Sequence, residues 1–160
     1  MIINDNFFIN KAKTCAITGH RTLYKGFNKE RLKQILIRVI KGNFDTFLVG
    51  MAIGFDTECF KILLDLKKEY KINLVACIPC ESQALNFTLE QKNEYDYLLS
   101  CADQKVLISK EYVKGCMLKR NKFMVDNCSG LIAYYKKETG GTASTVRYAV
   151  KNDVPIIYID

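Results

Sequence analysis

Residues 14–19, Thr14-Cys15-Ala16-Ile17-Thr18-Gly19, form a short β-like run that stops on a glycine and passes at once into His20-Arg21. The arrangement recurs twice. Gly50-Met51-Ala52-Ile53-Gly54-Phe55-Asp56 follows the apolar run 44–49, and Gly140-Gly141-Thr142 leads into Ala143-Ser144-Thr145. A strand that ends in glycine ahead of a helix leaves backbone N–H groups at the positive end of the helix dipole, where anions are held. Three such turns point to an anionic, nucleotide-like ligand, although αβ turns also take glycine for backbone geometry alone.

Outward from the first turn, β-rich runs recur at 14–18, 44–49, 72–78, 104–108, 129–135 and 154–159, with helix-length segments between them. That alternation predicts a single α/β domain, doubly wound, with a mainly parallel sheet of about six strands flanked by helices. Leu32, Ile35, Leu36, Val39 and Ile40 make the clearest helical stripe, with Asn28 as N-cap and Gly42 as C-terminal stop. A second helix is expected from about Asp56, turning Cys59, Phe60, Leu63 and Leu64 inward. A later one presents Met117, Met124, Val125 and Cys128, and the last carries Val146, Ala149 and Val150. Pro79 closes a strand ahead of the stretch from Glu81 to Ser100, where helical spacing returns only at Tyr95, Leu98 and Leu99, so this stretch reads as a lid or a ligand-facing loop. Residues 1–12 read as a flexible or strand-pairing extension, and 13–160 as the domain.

The 160 residues are 49% hydrophobic, enough for one substantial core. No run is long enough to span a bilayer and the opening residues lack a basic n-region, so a soluble, cytoplasmic protein with no membrane partner is expected. Seven cysteines, an odd number spread through apolar runs, argue for reduced, buried thiols. Cys77-Ile78-Pro79-Cys80 has no second pair to complete a zinc site, so no metal is expected. The net charge of +7 favours polyanionic partners, but much of it falls on solvated helix faces such as Lys29, Arg31, Lys33, Arg38 and Lys41.

In a doubly wound sheet the ligand lies beyond the carboxyl ends of the strands, near the switch in strand order, where all three glycine turns are expected to meet. Gly19, Gly50, Gly54, Gly140 and Gly141 then shape the cradle, with Thr18 and Met51 beside them and hydroxyls from Thr142, Ser144 and Thr145. Arg21 suits a bidentate phosphate contact, and His20, the chain's one histidine, suits a contact to phosphate or ribose, or proton transfer. Asp56 either caps the second helix or accepts from ribose hydroxyls. Arg120 and Asn121 are read at the start of a helix, Arg120 for phosphate and Asn121 for base or sugar.

In this order, Thr18-Gly19-His20-Arg21, Gly50-Met51-Ala52-Ile53-Gly54-Phe55-Asp56, Arg120-Asn121 with Met124-Val125-Asp126, and Gly140-Gly141-Thr142 resemble the SLOG superfamily of Rossmann-like domains, most closely its YpsA-type branch. The resemblance runs from about Thr14 to Ile159. It implies a pocket for nucleotides or derivatives of the NAD and ADP-ribose class, with no further cofactor. Relatives in the superfamily include the DNA-processing protein DprA and the phosphoribohydrolases that release cytokinin bases. The latter carry a PGGxGTxxE pattern whose glutamate assists glycosidic cleavage, whereas here Thr139 precedes the glycines and Thr145 stands at the glutamate's place. Three readings follow: a sensor or regulatory module binding a nucleotide derivative; an N-glycosidase using His20, Arg120 and either Asp56 or Glu138; and a nucleic-acid binder like DprA. The apolar last strand, Val154 to Ile159, would suit an edge through which copies associate as a homo-oligomer.

Overall fold

The computed structural model describes the backbone of residues 2–3 and all of residues 7–160. Six parallel strands, β2 (Thr14–Gly19), β3 (Thr46–Val49), β4 (Asn73–Cys80), β5 (Gln104–Ser109), β6 (Gly130–Tyr134) and β7 (Ile156–Tyr158), alternate with helices α1 (Lys29–Lys41), α2 (Phe55–Leu66), α3 (Leu89–Ser100), α4 (Cys116–Asp126) and α5 (Gly141–Lys151). All six runs read from the sequence are strands, and the fold is the expected Rossmann-like, doubly wound one. A two-residue strand β1 (Ile2–Ile3) adds to β5 antiparallel, so the sheet order is β1-β5-β4-β3-β2-β6-β7. Part of the N-terminal extension thus pairs with the sheet, and Lys11–Lys13 form a 3-10 turn just before β2; residues 1 and 4–6 of that expectation lie outside the described residues.

Both faces of the sheet are covered, which is why its strands read as near-continuous apolar runs. The two-residue period divides them between two cores. Ile17, Phe47, Val49, Leu74, Ala76 and Ile132 meet α1, α2 and α3 on one face. Ala16, Leu48, Val75, Cys77 and Leu131 meet α4 and α5 on the other. The helix ends follow from local chemistry: the Asn28 side chain accepts from Arg31 N–H, Gly42 ends α1, and Thr88 with Gln91 forms a capping box on α3.

Some local expectations need correction. Pro79 does not close β4, which runs to Cys80; β3 pairing stops at Ala76, so beyond it only β5 needs a partner and the missing N–H costs no ladder bond to β3. Val150 points to solvent at 59% exposure, Leu64 is half-buried, and Cys128 lies beyond the end of α4, though buried. The stretch from Glu81 is a compact run of turns followed by α3 rather than an open lid. Tyr95, Leu98 and Tyr134 belong to the core. β7 is the sheet edge, with Ile157 and Tyr158 half exposed.

The sequence order reverses between β2 and β6, so the switch-point crevice opens above their carboxyl ends. Two turns lock there. Phe55 N–H donates to His20 O (3.1 Å), and the Phe55 ring stacks on Tyr134 with centroids 5.2 Å apart. A β-carbon on Gly19 would lie 2.3 Å from Phe55 Cδ1, and one on Gly54, whose φ is +84°, would lie 2.2 Å from Arg21 O. Gly19→Ala is therefore expected to cost about 2 kcal/mol or more in urea unfolding by overpacking. In a double-mutant cycle with Phe55→Ala, which removes Cγ and the ring that the new β-carbon would meet, about 1 kcal/mol or more of that cost should be recovered; additive losses would contradict this contact.

Candidate functional site

The crevice is a cleft of about 300 Å³, and the sequence-selected residues Thr18, Gly19, His20, Arg21, Gly50, Asp56, Arg120, Asn121, Gly141 and Thr142 line it. Ile17, Ala52, Met117 and Met124 complete its walls. The structure brings these together from β2, the β3–α2 turn, α4 and the head of α5. Met51, Gly54, Gly140, Thr145 and Glu138 do not line it. Met51 is buried with φ +61°, Thr145 donates back to Gly141 O, and Glu138 is exposed with its carbonyl accepting from Arg147.

Asp56 does not cap α2. The N-cap is Gly54, without a side-chain bond, and Asp56 sits in the first turn, where its Oδ2 accepts from Ala52 N–H at 3.2 Å. It is 95% shielded from solvent, as its 5% exposure shows, and its second oxygen, Oδ1, is buried with no hydrogen-bond partner. An unpaired buried acceptor costs about 1–3 kcal/mol, so it calls for a use.

Arg120 is likewise not at the start of its helix. It lies in the second turn of α4, 7% exposed, where Nη1 donates to Gly50 O and to Cys77 O (3.2 Å) and Nε donates to Asn121 Oδ1 (2.7 Å). Gly50 makes room for it: a β-carbon there would lie 2.9 Å from Arg120 Cζ and 3.1 Å from Asp56 Oδ2, so guanidinium and carboxylate flank one point. Burial pushes the Asp56 carboxyl up to about 6, against the opposing pull of Arg120, Ala52 N–H and Arg21; burial likewise lowers Arg120. The Cys77 thiol beneath them is pushed up to about 12, also by burial, which suits an inert core thiol.

The other wall of the cleft is polar in the opposite sense. Helix α5 is capped by Gly140 with no side-chain bond, which leaves its first-turn N–H groups without side-chain partners, and Gly141 and Thr142 line the cleft. Because Asn121 Oδ1 is taken by Arg120, its amide nitrogen is left to donate; it lies 3.9 Å from where a Gly141 β-carbon would be. Arg21 is exposed at the rim, its Nη2 3.8 Å from Met117 Sδ. By contrast His20 Nε2 accepts from the N–H groups of Lys136 (2.8 Å) and Lys137 (3.1 Å), which places its proton on Nδ1. Burial and the Lys137 charge lower its pKa. The histidine thereby braces the loop between β6 and α5, and only Nδ1 remains to donate. Among the described residues no group of three or more His, Cys, Asp or Glu side chains is placed to hold a metal, and no helix is long and apolar enough to cross a membrane.

Fold and cleft together define a Rossmann-like α/β domain with its site at the topological switch point. The family model YpsA, described as the YspA SLOG family, matches residues 15–160, and the chain belongs to that family. Its relatives include the SPbeta prophage-derived protein YoqJ of Bacillus subtilis, 26% identical over 77% of this chain and 80% of that one. A UPF0398 protein of Bacillus pumilus is 24% identical over 92% of this chain and 87% of its own length. Among solved structures it is similar to DprA of Streptococcus pneumoniae (TM-score 0.68, 19% identity) and of Helicobacter pylori (TM-score 0.67, 20% identity). Each comparison covers 92% of this chain, but only 50% and 65% of those proteins, and the likeness is one of fold. The Helicobacter structure describes that protein's binding of single-stranded DNA.

The Asp56 geometry has a consequence for stability. A carboxyl raised from 3.8 to about 6 in the folded chain keeps its proton over a range where the unfolded chain has lost it. Its contribution to stability is therefore greatest below about pH 4 and falls as pH rises through about 6. Asp56→Asn removes this dependence. Urea unfolding of both proteins should show the variant gaining about 2 kcal/mol on the wild type between pH 4.5 and pH 7.5; an unchanged difference would contradict the assignment.

Proposed function

We propose that the cleft binds a nucleotide-derived ligand of the nucleoside phosphate, ADP-ribose or NAD class, in a sensor or regulatory role. The observation that carries this reading is the buried, unpartnered Oδ1 of Asp56, lining the same cleft as the uncapped head of α5. A carboxylate oxygen with no internal donor suits a hydroxyl, and a helix N-terminus with a free Asn121 amide and Arg21 nearby suits a phosphate. A phosphorylated sugar presents both groups on one molecule. Membership of the SLOG family supports the same reading.

The hydrolase alternative draws less support from the geometry. Thr145 occupies the position of the phosphoribohydrolase glutamate and points its hydroxyl back into α5, Glu138 lies outside the cleft, and His20 Nε2 is taken by the backbone. A DprA-like interaction with single-stranded DNA is an outcome of the test below.

Calorimetry with AMP, ADP-ribose and NAD should give saturable binding, weakened by about tenfold to a hundredfold in Asp56→Ala. Because the accepting form of Asp56 is ionised, affinity should rise as pH increases from 5 to 7.5. Absence of binding to every nucleotide, alongside salt-sensitive binding of single-stranded DNA that Asp56→Ala leaves intact, would overturn the reading.

A further inference from the structure

A second cavity of about 170 Å³ adjoins the cleft, between the β3–α2 turn and the turns that precede α3. Arg21, Ala52, Met117 and Arg120 line both spaces, so the two adjoin and a ligand occupying both would pass beside these side chains. We infer that this lobe receives the planar nitrogen heterocycle of the ligand, while its phosphate lies at the head of α5. The inference rests on the nucleotide reading above and adds to it a base site.

The walls are of the kind that holds a flat π-system. Phe87, half-buried, meets Tyr95 at 89° with centroids 5.6 Å apart, and a perpendicular contact leaves at least one face of the Phe87 ring uncovered by Tyr95. Arg21 and Met117 supply a planar guanidinium and a polarizable sulfur, and both pack well on aromatic rings. The polar groups match a base edge. Asn86 makes no side-chain hydrogen bond among the described residues. Gln91, whose Oε1 accepts from Thr88 N–H, keeps its amide donors. An amide offers donor and acceptor together, the pairing that a base edge also offers.

The lobe is built in advance rather than left to a mobile loop. Gln83 donates to Gly50 O (2.8 Å) and accepts from the Tyr95 hydroxyl (3.0 Å), which ties this segment both to the cleft and to α3. Successive turn bonds, Gln83 to Cys80, Leu85 to Ser82 and Phe87 to Ala84, set the backbone. The volume corresponds to about six waters, which suits one ring system. The cleft alone is at the lower end of the ~300–1,000 Å³ usual for small-molecule sites, and the lobe extends it.

The test compares AMP with ribose 5-phosphate, which has the same sugar phosphate and no base, by calorimetry on the full chain. The wild type should bind AMP about tenfold or more tightly than ribose 5-phosphate. Phe87→Ala should weaken AMP by about tenfold and leave ribose 5-phosphate unchanged, and Phe87→Tyr should restore AMP binding. Asn86→Ala, at an exposed position whose side chain has no internal bond to lose, should also weaken AMP selectively. Equal affinity for the two probes, or equal loss of both in Phe87→Ala, would overturn the base site while leaving the phosphate and Asp56 contacts standing. Binding of neither probe nor ADP-ribose would overturn the nucleotide reading and the base site with it.

Discussion

The structure depends on the docking of the β3–α2 turn against the turn that ends β2. Phe55 sets it: its N–H satisfies the His20 carbonyl, and its ring fills the space that Gly19 leaves free, stacks on Tyr134 and meets Phe27 edge-on. The Tyr134 hydroxyl in turn accepts from Tyr24 N–H at 3.0 Å, so strand β6 is tied to the same aromatic knot. Three strand ends are thereby held at fixed spacing where the strand order reverses. A crevice at this point follows from topology, and its shape follows from this knot.

Into that rigid frame the chain places a buried carboxylate and a buried guanidinium. They do not cancel each other by direct contact: Arg120 spends its hydrogen bonds on the carbonyls of Gly50, just past β3, and Cys77, within β4, and on Asn121, and Asp56 spends one oxygen on Ala52 N–H. Burial of charge is costly. What the arrangement provides is an unpaired acceptor lining the same cleft as the head of α5, with the Asn121 amide held beside Gly141 by its bond to Arg120. Neither Asp56 nor Asn121 could be so oriented by a solvated side chain.

Much of this was legible in the sequence, for identifiable reasons. The six strands are apolar on both faces and the stripe from Leu32 to Ile40 is regular, so periodicity marks them plainly. The glycine turns located the cleft, yet their physical uses differ. Gly19 and Gly54 allow two turns to interlock, Gly50 clears space for Arg120, and the head of α5 is where amides are free. Local patterning does not carry such long-range contacts. For the same reason Asp56 stays open between a helix cap and a ribose contact in the sequence and Arg120 reads at the start of its helix, since the burial of Arg120 is decided by Gly50, 70 residues away in the chain. The stretch around Phe87 was legible only as a lid or ligand-facing loop because Gln83 and Asn86 sit in a polar run, and its built form depends on the Gln83 bond to Gly50, across 33 residues.

The central claim is that one molecule satisfies both Asp56 and the head of α5. A crystal structure of the protein soaked with ADP-ribose tests it most directly. The account predicts phosphate oxygens within about 3.2 Å of the first-turn amides of α5 and a sugar hydroxyl donating to Asp56 Oδ1. A ligand seated outside the cleft, or inside it with Asp56 Oδ1 still unpartnered, would contradict it.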